Sequence, residues 1–420
     1  MGLNTTMQGD RIQIAIYGKT NAGKSSIINA ITGQEAAIVS KVRGTTTDPV
    51  SKAMEILPLG PCMITDTPGL DDEGELGIKR VKKAVQVLNK TDIALIVSDI
   101  SGFTEKDLEE SCALPEKERQ ISRLINEKKL PYIIVLNQTD RIEEAKAENI
   151  RKIVTSKNPG VPVILTSAVK KTGIEELKAA LVSLVPDAKQ KLDIISDIVK
   201  RNDIVILVVP VDTSAPKGRL IMPQQQVIRD LLDNNAIAVV TQVPELKDTL
   251  KRLEGSVKMV ITDSQAFKEV AAIVPLNIPL TSFSILFARH KGDLEKLVQG
   301  AAALNNLKDG DRVLIAEGCT HRRQCEDIGT VKIPKWLKEH SGKEFIIETC
   351  SGTSFPEDLS SYSLVIHCGG CTLNEKEMKH RIYSATEQGV PVVNYGIFIA
   401  YVNGILKRSI ELFPSVNKII

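Results

Sequence analysis

Short apolar runs alternate with amphipathic stretches of helical period along most of the chain, which predicts strands and helices in turn. In the first part, Arg11 to Tyr17, Cys62 to Thr65, Tyr132 to Leu136 and Val163 to Thr166 read as buried strands. Farther on, runs at Ile204 to Val209, Ala236 to Thr241 and Val257 to Ile261 alternate with helical patterns at Pro223 to Leu232 and Pro244 to Leu253. The last part repeats the theme, with strands expected at Arg312 to Ala316, Glu344 to Glu348, Tyr362 to Ile366 and Val390 to Val393. Helical periodicity covers Ser282 to His290, Leu294 to Leu304, Ile333 to His340 and Glu375 to Gln388. Continuous apolar strands joined by helices imply parallel sheets covered on both faces, so the expected class is α/β.

A chain of 420 residues exceeds what one hydrophobic core holds together. Pro186-Asp187-Ala188-Lys189 reads as one linker, and Pro275 and Pro279 punctuate a second break. The expected domains are therefore 1–185, 186–272 and 273–420. The middle one is small and leaves strand edges open, so pairing with a second copy, a homodimer, is expected there.

Charge is balanced, 54 basic against 52 acidic residues, which gives no basic excess to argue for nucleic acid. The polar start and the lack of a long apolar run predict neither a signal peptide nor a membrane span. Seven cysteines without a secretion signal fit a reducing compartment, and the chain is expected in the cytoplasm.

The first chemistry follows the first strand. Gly18-Lys19-Thr20-Asn21-Ala22-Gly23-Lys24-Ser25 stands between a strand and a helix beginning at Ser26, the context of a phosphate-binding loop. Its backbone N–H groups curl around phosphate oxygens at a helix N-terminus; Lys24 reaches the β- and γ-phosphates and the Ser25 hydroxyl ligates Mg2+. Arg43 to Asp48, with Thr46, forms a polar loop placed to fold over the γ-phosphate. Asp66-Thr67-Pro68-Gly69 ends a strand, so Asp66 can hold the magnesium shell while the Gly69 N–H senses the γ-phosphate. Asn137-Gln138-Thr139-Asp140 supplies Asp140 to both donors on the Watson–Crick edge of guanine, which adenine does not offer. Ser167-Ala168-Val169 then closes over the base. Together, and in this order, these motifs predict a GTPase.

Residues 11 to about 185 resemble the Era and MnmE (TrmE) branch of small GTPases in these motifs. Two positions depart from the pattern. Gln138 stands where Lys is usual, and Leu70 stands where Ras-like proteins place a water-orienting Gln. The resemblance implies slow, cation-stimulated hydrolysis, with Asn21 associated with K+ beside the phosphates.

The second chemistry lies near the far end. Cys319-Thr320-His321 follows one expected strand and His367-Cys368-Gly369-Gly370-Cys371 another, so thiols and imidazoles gather at two short turns. Three cysteines suit an iron–sulfur cluster with one iron held by another group; zinc suits the same donors, and buried free thiols are the plain alternative. His321, Glu326, His367 and Cys325 are open as the fourth ligand.

The GTPase motifs, a middle α/β stretch containing Val209-Pro210-Val211-Asp212 and Ala215 to Arg219, and the terminal Cys/His motifs together resemble the FeFe-hydrogenase maturation GTPases. That resemblance covers essentially the whole chain. It implies a GTP-binding domain, a dimerisation domain and an iron–sulfur domain that carries a 4Fe–4S cluster. It also implies a scaffold that receives a transient diiron precursor and hands it to apo FeFe-hydrogenase, with radical-SAM maturases as further partners. Neither nucleic acid nor membrane is expected. The alternative is an RNA-associated Era/MnmE-like GTPase with a zinc-stabilised last domain.

Overall fold

Three runs of strands give three sheets. In the computed structural model, residues 8–33, 49–67, 83–185, 193–210, 220–318, 327–352 and 354–419 are described. The chain divides into two compact units, Met1–Asp187 and Ala188–Ile420.

The first unit is built on β1 (Ile12–Tyr17), β2 (Val50–Ile56), β3 (Gly60–Asp66), β4 (Ile93–Asp99), β5 (Tyr132–Asn137) and β6 (Val163–Leu165), in the order β2-β3-β1-β4-β5-β6. All neighbours run parallel except β2 against β3. Because the central strands are largely apolar and buried at most positions, both faces of the sheet are covered. Ile14, Ile16, Leu95 and Val97 pack on one side against Ile27, Ile28 and Ile31 of helix α1 (Lys24–Thr32). Ala15, Tyr17, Ile96 and Ile134 pack on the other against Ile121, Ile125 and Val154. The antiparallel edge strand β2 has an alternating pattern of exposed and half-buried positions, and only its last residue, Ile56, is fully buried.

The second unit carries two all-parallel four-stranded sheets. The first joins β7 (Ile204–Val208), β8 (Ile237–Thr241), β9 (Val257–Thr262) and β10 (Leu280–Ser282) in the order β10-β9-β7-β8. The second joins β11 (Arg312–Glu317), β12 (Ile346–Ser351), β13 (Leu364–His367) and β14 (Val392–Asn394) in the order β12-β11-β13-β14. On sequence alone the middle domain closes at 272. Its sheet nevertheless takes a further strand, Leu280 pairing with Val260, because three residues after a proline-marked turn are too short to show a strand period.

One continuous hydrophobic core runs beneath both sheets, from Ile206 and Phe267 through Phe283 to Ile315, Ile366 and Phe398. Helix α2 (Phe283–Lys291) and helix α3 (Leu294–Ala302) carry it across. Gly300 of α3 lies so close to β14 that a Cβ there would sit 1.9 Å from the Val392 carbonyl oxygen. Among the described residues, no helix is long and apolar enough to cross a membrane.

Candidate functional site

The phosphate-binding loop emerges from β1 and enters α1 through Gly23, whose φ of 89° lies in the left-handed region that side chains avoid. A Cβ on Gly23 would also meet the Asn137 amide nitrogen at 2.2 Å. The Lys24 ammonium is tucked into the loop, donating to the carbonyls of Gly18 and Lys19 at 2.9 Å each. Ala22 is buried, whereas Asn21, with φ 65°, and Ser26 are exposed.

At the end of β3, Asp66 accepts from the Ser25 hydroxyl at 3.2 Å. Burial raises the pKa of Asp66 above the ordinary carboxylate range, against the pull of Lys24 and the Ser25 hydrogen bond. Its second oxygen, Oδ1, is buried without a hydrogen-bond partner. A hydroxyl beside a carboxylate with an orphaned oxygen is a hard-oxygen donor set that fits Mg2+. Thr67 next in line ties back to β1, its hydroxyl donating to the Ile16 carbonyl at 2.7 Å. Thr46 and Gly69 lie outside the described residues.

Asn137, only 1% exposed, joins the remaining pieces. Its amide donates to the Ala22 carbonyl at 3.0 Å, and its oxygen accepts from the Thr166 hydroxyl at 3.2 Å and the Ala168 N–H at 3.4 Å. Gln138, also left-handed, reaches the same loop by donating to the Asn21 carbonyl at 2.8 Å. Asp140 is exposed and accepts from the Ser167 hydroxyl at 2.5 Å, and this bond holds its carboxyl below the usual range. Phosphate loop, base-reading motif and closing loop are thus one hydrogen-bonded surface before any ligand arrives.

The second candidate site stands at the carboxyl ends of β11 and β13. These strands are parallel neighbours with Ala316 opposite His367, so the turns after them start side by side. The Cys368 N–H donates to the Ala316 carbonyl at 2.8 Å. The Cys368 sulfur accepts from the N–H of Gly318 at 3.0 Å and of Gly370 at 3.4 Å. Backbone donors aimed at sulfur stabilise a thiolate, the form that binds metal. Cys368 and Cys371 are half-buried. Cys319, His321, Cys325 and Glu326 lie outside the described residues, and among the described ones no group of three His, Cys, Asp or Glu side chains gathers as a metal site.

His367 is buried; burial and then the neighbouring Arg381 charge push its pKa down to about 3. Behind the turn lie residues not singled out from sequence. Glu317 and the Tyr395 hydroxyl meet at 3.5 Å, and burial, then the nearby Cys368 and Glu317 charges, raise the tyrosine pKa. Arg381 sits on helix α4 (Glu375–Glu387) in the apolar phase shared by Met378, Ile382 and Ala385, a placement readable from the helical period. Lys291 of α2 is buried as well and donates to the Leu373 carbonyl at 3.4 Å.

A six-stranded sheet with this loop, a magnesium-fitting Ser/Asp pair and the exposed Asp140 beyond β5 defines the first unit as a P-loop GTPase domain. Residues 13–138 match the family described as 50S ribosome-binding GTPase. Residues 194–292 match the Hydrogen maturase F dimerization domain, and residues 295–412 match the Hydrogen maturase F tetramerization domain. The chain belongs to the hydrogenase maturase F (HydF) family.

Curated relatives include GTPase Der of Kosmotoga olearia, 29% identical over 203 residues, covering 46% of this chain and 43% of the relative. Another is the tRNA modification GTPase MnmE of Natranaerobius thermophilus, 30% identical over 178 residues, covering 41% of this chain and 34% of the relative. This chain thus spans less than half the length of each. A solved structure of Aquifex aeolicus Era, at 19% identity and TM-score 0.36, covers 58% of this chain and 98% of its own.

Proposed function

We propose that the chain is a GTP-regulated metallocluster carrier in FeFe-hydrogenase maturation. In this reading Cys319, Cys368 and Cys371 hold a 4Fe–4S cluster, with His321, Glu326, His367 or Cys325 open as the fourth ligand. The adjacency of β11 and β13 carries the reading, because it starts the two cysteine turns from neighbouring strand ends, with a backbone N–H of one on the sulfur of the other. Once bound, the cluster supplies an iron able to take an outside ligand. The diiron precursor is the cargo, received with the help of radical-SAM maturases and passed to apo-hydrogenase.

In the first unit, Lys24 neutralises phosphate charge and Asp140 selects guanine. Ser25, Thr46 and Asp66 hold Mg2+, which offsets charge building on the phosphates. Asn21 helps retain K+ beside them. Thr46 and Gly69 sense the γ-phosphate, so nucleotide governs docking or release of partners rather than cluster assembly. Assembly is homodimeric through the middle domain, in line with the dimerization-domain match at 194–292.

Anaerobic reconstitution tests the centre of this proposal. Iron, sulfide and zinc are measured in the wild type and in Cys319→Ser, Cys368→Ser and Cys371→Ser. The expected wild type is brown, with four irons and four sulfides per chain on the order set by one such cluster, and each variant loses it. Stoichiometric zinc without sulfide, or a cluster that survives all three substitutions, overturns the assignment.

A further inference from the structure

A guanidinium lies buried behind the cysteine turn. Arg381 is 2% exposed. Its Nε donates to Glu377 at 2.8 Å, one terminal nitrogen donates to the Gly352 carbonyl at 2.5 Å, and the other faces Nε2 of His367 at 3.3 Å. The group also rests over the Phe355 ring, 5.1 Å from its centre.

Burying a cation is costly unless its donors are matched, and this one spreads them over helix α4, the end of β12 and the end of β13. A guanidinium has donors only, so the His367 Nε2 it faces must present a lone pair. The ring hydrogen then resides on Nδ1, which donates to the Cys368 carbonyl at 2.7 Å. Both imidazole nitrogens are committed by this chain of contacts, which takes His367 out of the fourth-ligand candidates and leaves His321, Glu326 and Cys325.

We infer that Arg381 is a positioning residue for the cysteine turn: it fixes the tautomer and tilt of His367, which in turn holds the Cys368 peptide so that its sulfur meets the N–H groups of Gly318 and Gly370. The inference rests on the iron–sulfur reading above. Lysine does not substitute, since a single ammonium lacks the planar fork that reaches three directions. The positive charge beside the turn also favours the more negative, reduced form of a cluster held there.

The test uses full-length protein reconstituted anaerobically as wild type, Arg381→Met, Arg381→Lys and His367→Asn. Asparagine keeps an N–H near the place of Nδ1. The readouts are the EPR spectrum of the reduced cluster, its midpoint potential, and the rate of iron loss to a chelator. Arg381→Met is expected to lower the potential, alter the spectrum and lose iron about tenfold faster. His367→Asn, which keeps the contact to the Cys368 carbonyl but loses the one to Arg381, is expected to keep the potential and to alter the spectrum and iron retention less than Arg381→Met does, and wild type to show no imidazole nitrogen coupling from His367. If Arg381→Met does not fold, Arg381→Lys keeps the charge, and an altered spectrum with faster iron loss is expected of it. A folded Arg381 variant with wild-type spectrum, potential and iron retention overturns the inference alone, as does nitrogen coupling that vanishes in His367→Asn. Wild-type protein that takes up no cluster overturns the reading beneath it as well.

Discussion

The Ser167 hydroxyl donates to the Asp140 carboxylate at 2.5 Å, so the loop proposed to close over the base also aims the group proposed to read it. Ser167→Ala is expected to weaken GTP binding about fivefold, the loss of one charge-assisted hydrogen bond. Asp140 is also expected to protonate at higher pH in that variant, because the contact that lowers its pKa is gone. Titration calorimetry across pH reads both effects. Unchanged affinity would mean the contact has no share in base recognition.

Asp140→Asn should exchange GTP for xanthosine triphosphate, whose 2-oxo group accepts from an amide. Competition binding checks the swap, and equal affinity of the wild type for ATP and GTP counts against this role for Asp140.

Gly23 combines a left-handed backbone with a 2.2 Å approach of its missing Cβ to Asn137. Gly23→Ala is expected to pull Asn137 off the Ala22 carbonyl and cut nucleotide affinity by about two orders of magnitude, with circular dichroism unchanged. A variant that binds GTP like wild type would show that the loop tolerates the strain.

Asp66 carries its raised pKa into a prediction about pH. A carboxyl that protonates above its ordinary range loses its ligand function as pH falls through that raised value. Hydrolysis at low magnesium should therefore decline on mild acidification. Saturating magnesium, which binds only the ionised form, should move the decline to lower pH. An acid limb indifferent to magnesium would assign it to another group.

Potassium and the phosphate lysine bear on what hydrolysis is for. Hydrolysis is expected to run faster in potassium than in sodium, and Lys24→Ala to abolish it. The same Lys24→Ala protein should still take up a cluster yet fail to support hydrogenase activation in cells. Wild-type protein already loaded with precursor should activate apo-hydrogenase without GTP. A nucleotide requirement at every transfer would move the switch to that step.

Stability of the second unit depends on a close approach. Gly300→Val places a branched side chain against the Val392 backbone and should cost about 3 kcal/mol. Denaturant unfolding measures it, and a midpoint within error of wild type would mean α3 is free to shift.

The nucleotide site was legible because each of its motifs is short and ends a strand, so local sequence fixes local geometry. Asp66 and Asn137 end β3 and β5, Lys24 opens α1, and Asp140 lies in the turn just after β5. Strand order is a different matter. β11 and β13 are neighbours although β12 lies between them in sequence, and no periodicity states that order. β10 was missed because three residues hold no period. Arg381 was missed because a charged residue on a helix reads as solvated unless its phase is checked against Met378 and Ile382.

The single core beneath β7–β10 and β11–β14 has a consequence for inheritance. Residues matched as a dimerization domain and residues matched as a tetramerization domain bury one another's apolar faces within one compact unit, Ala188–Ile420. Recombination that exchanged either half alone would leave Phe283 or Phe398 facing water. Lineages should therefore pass on these two stretches as an indivisible block, and a substitution on one side of that core should be answered by one on the other.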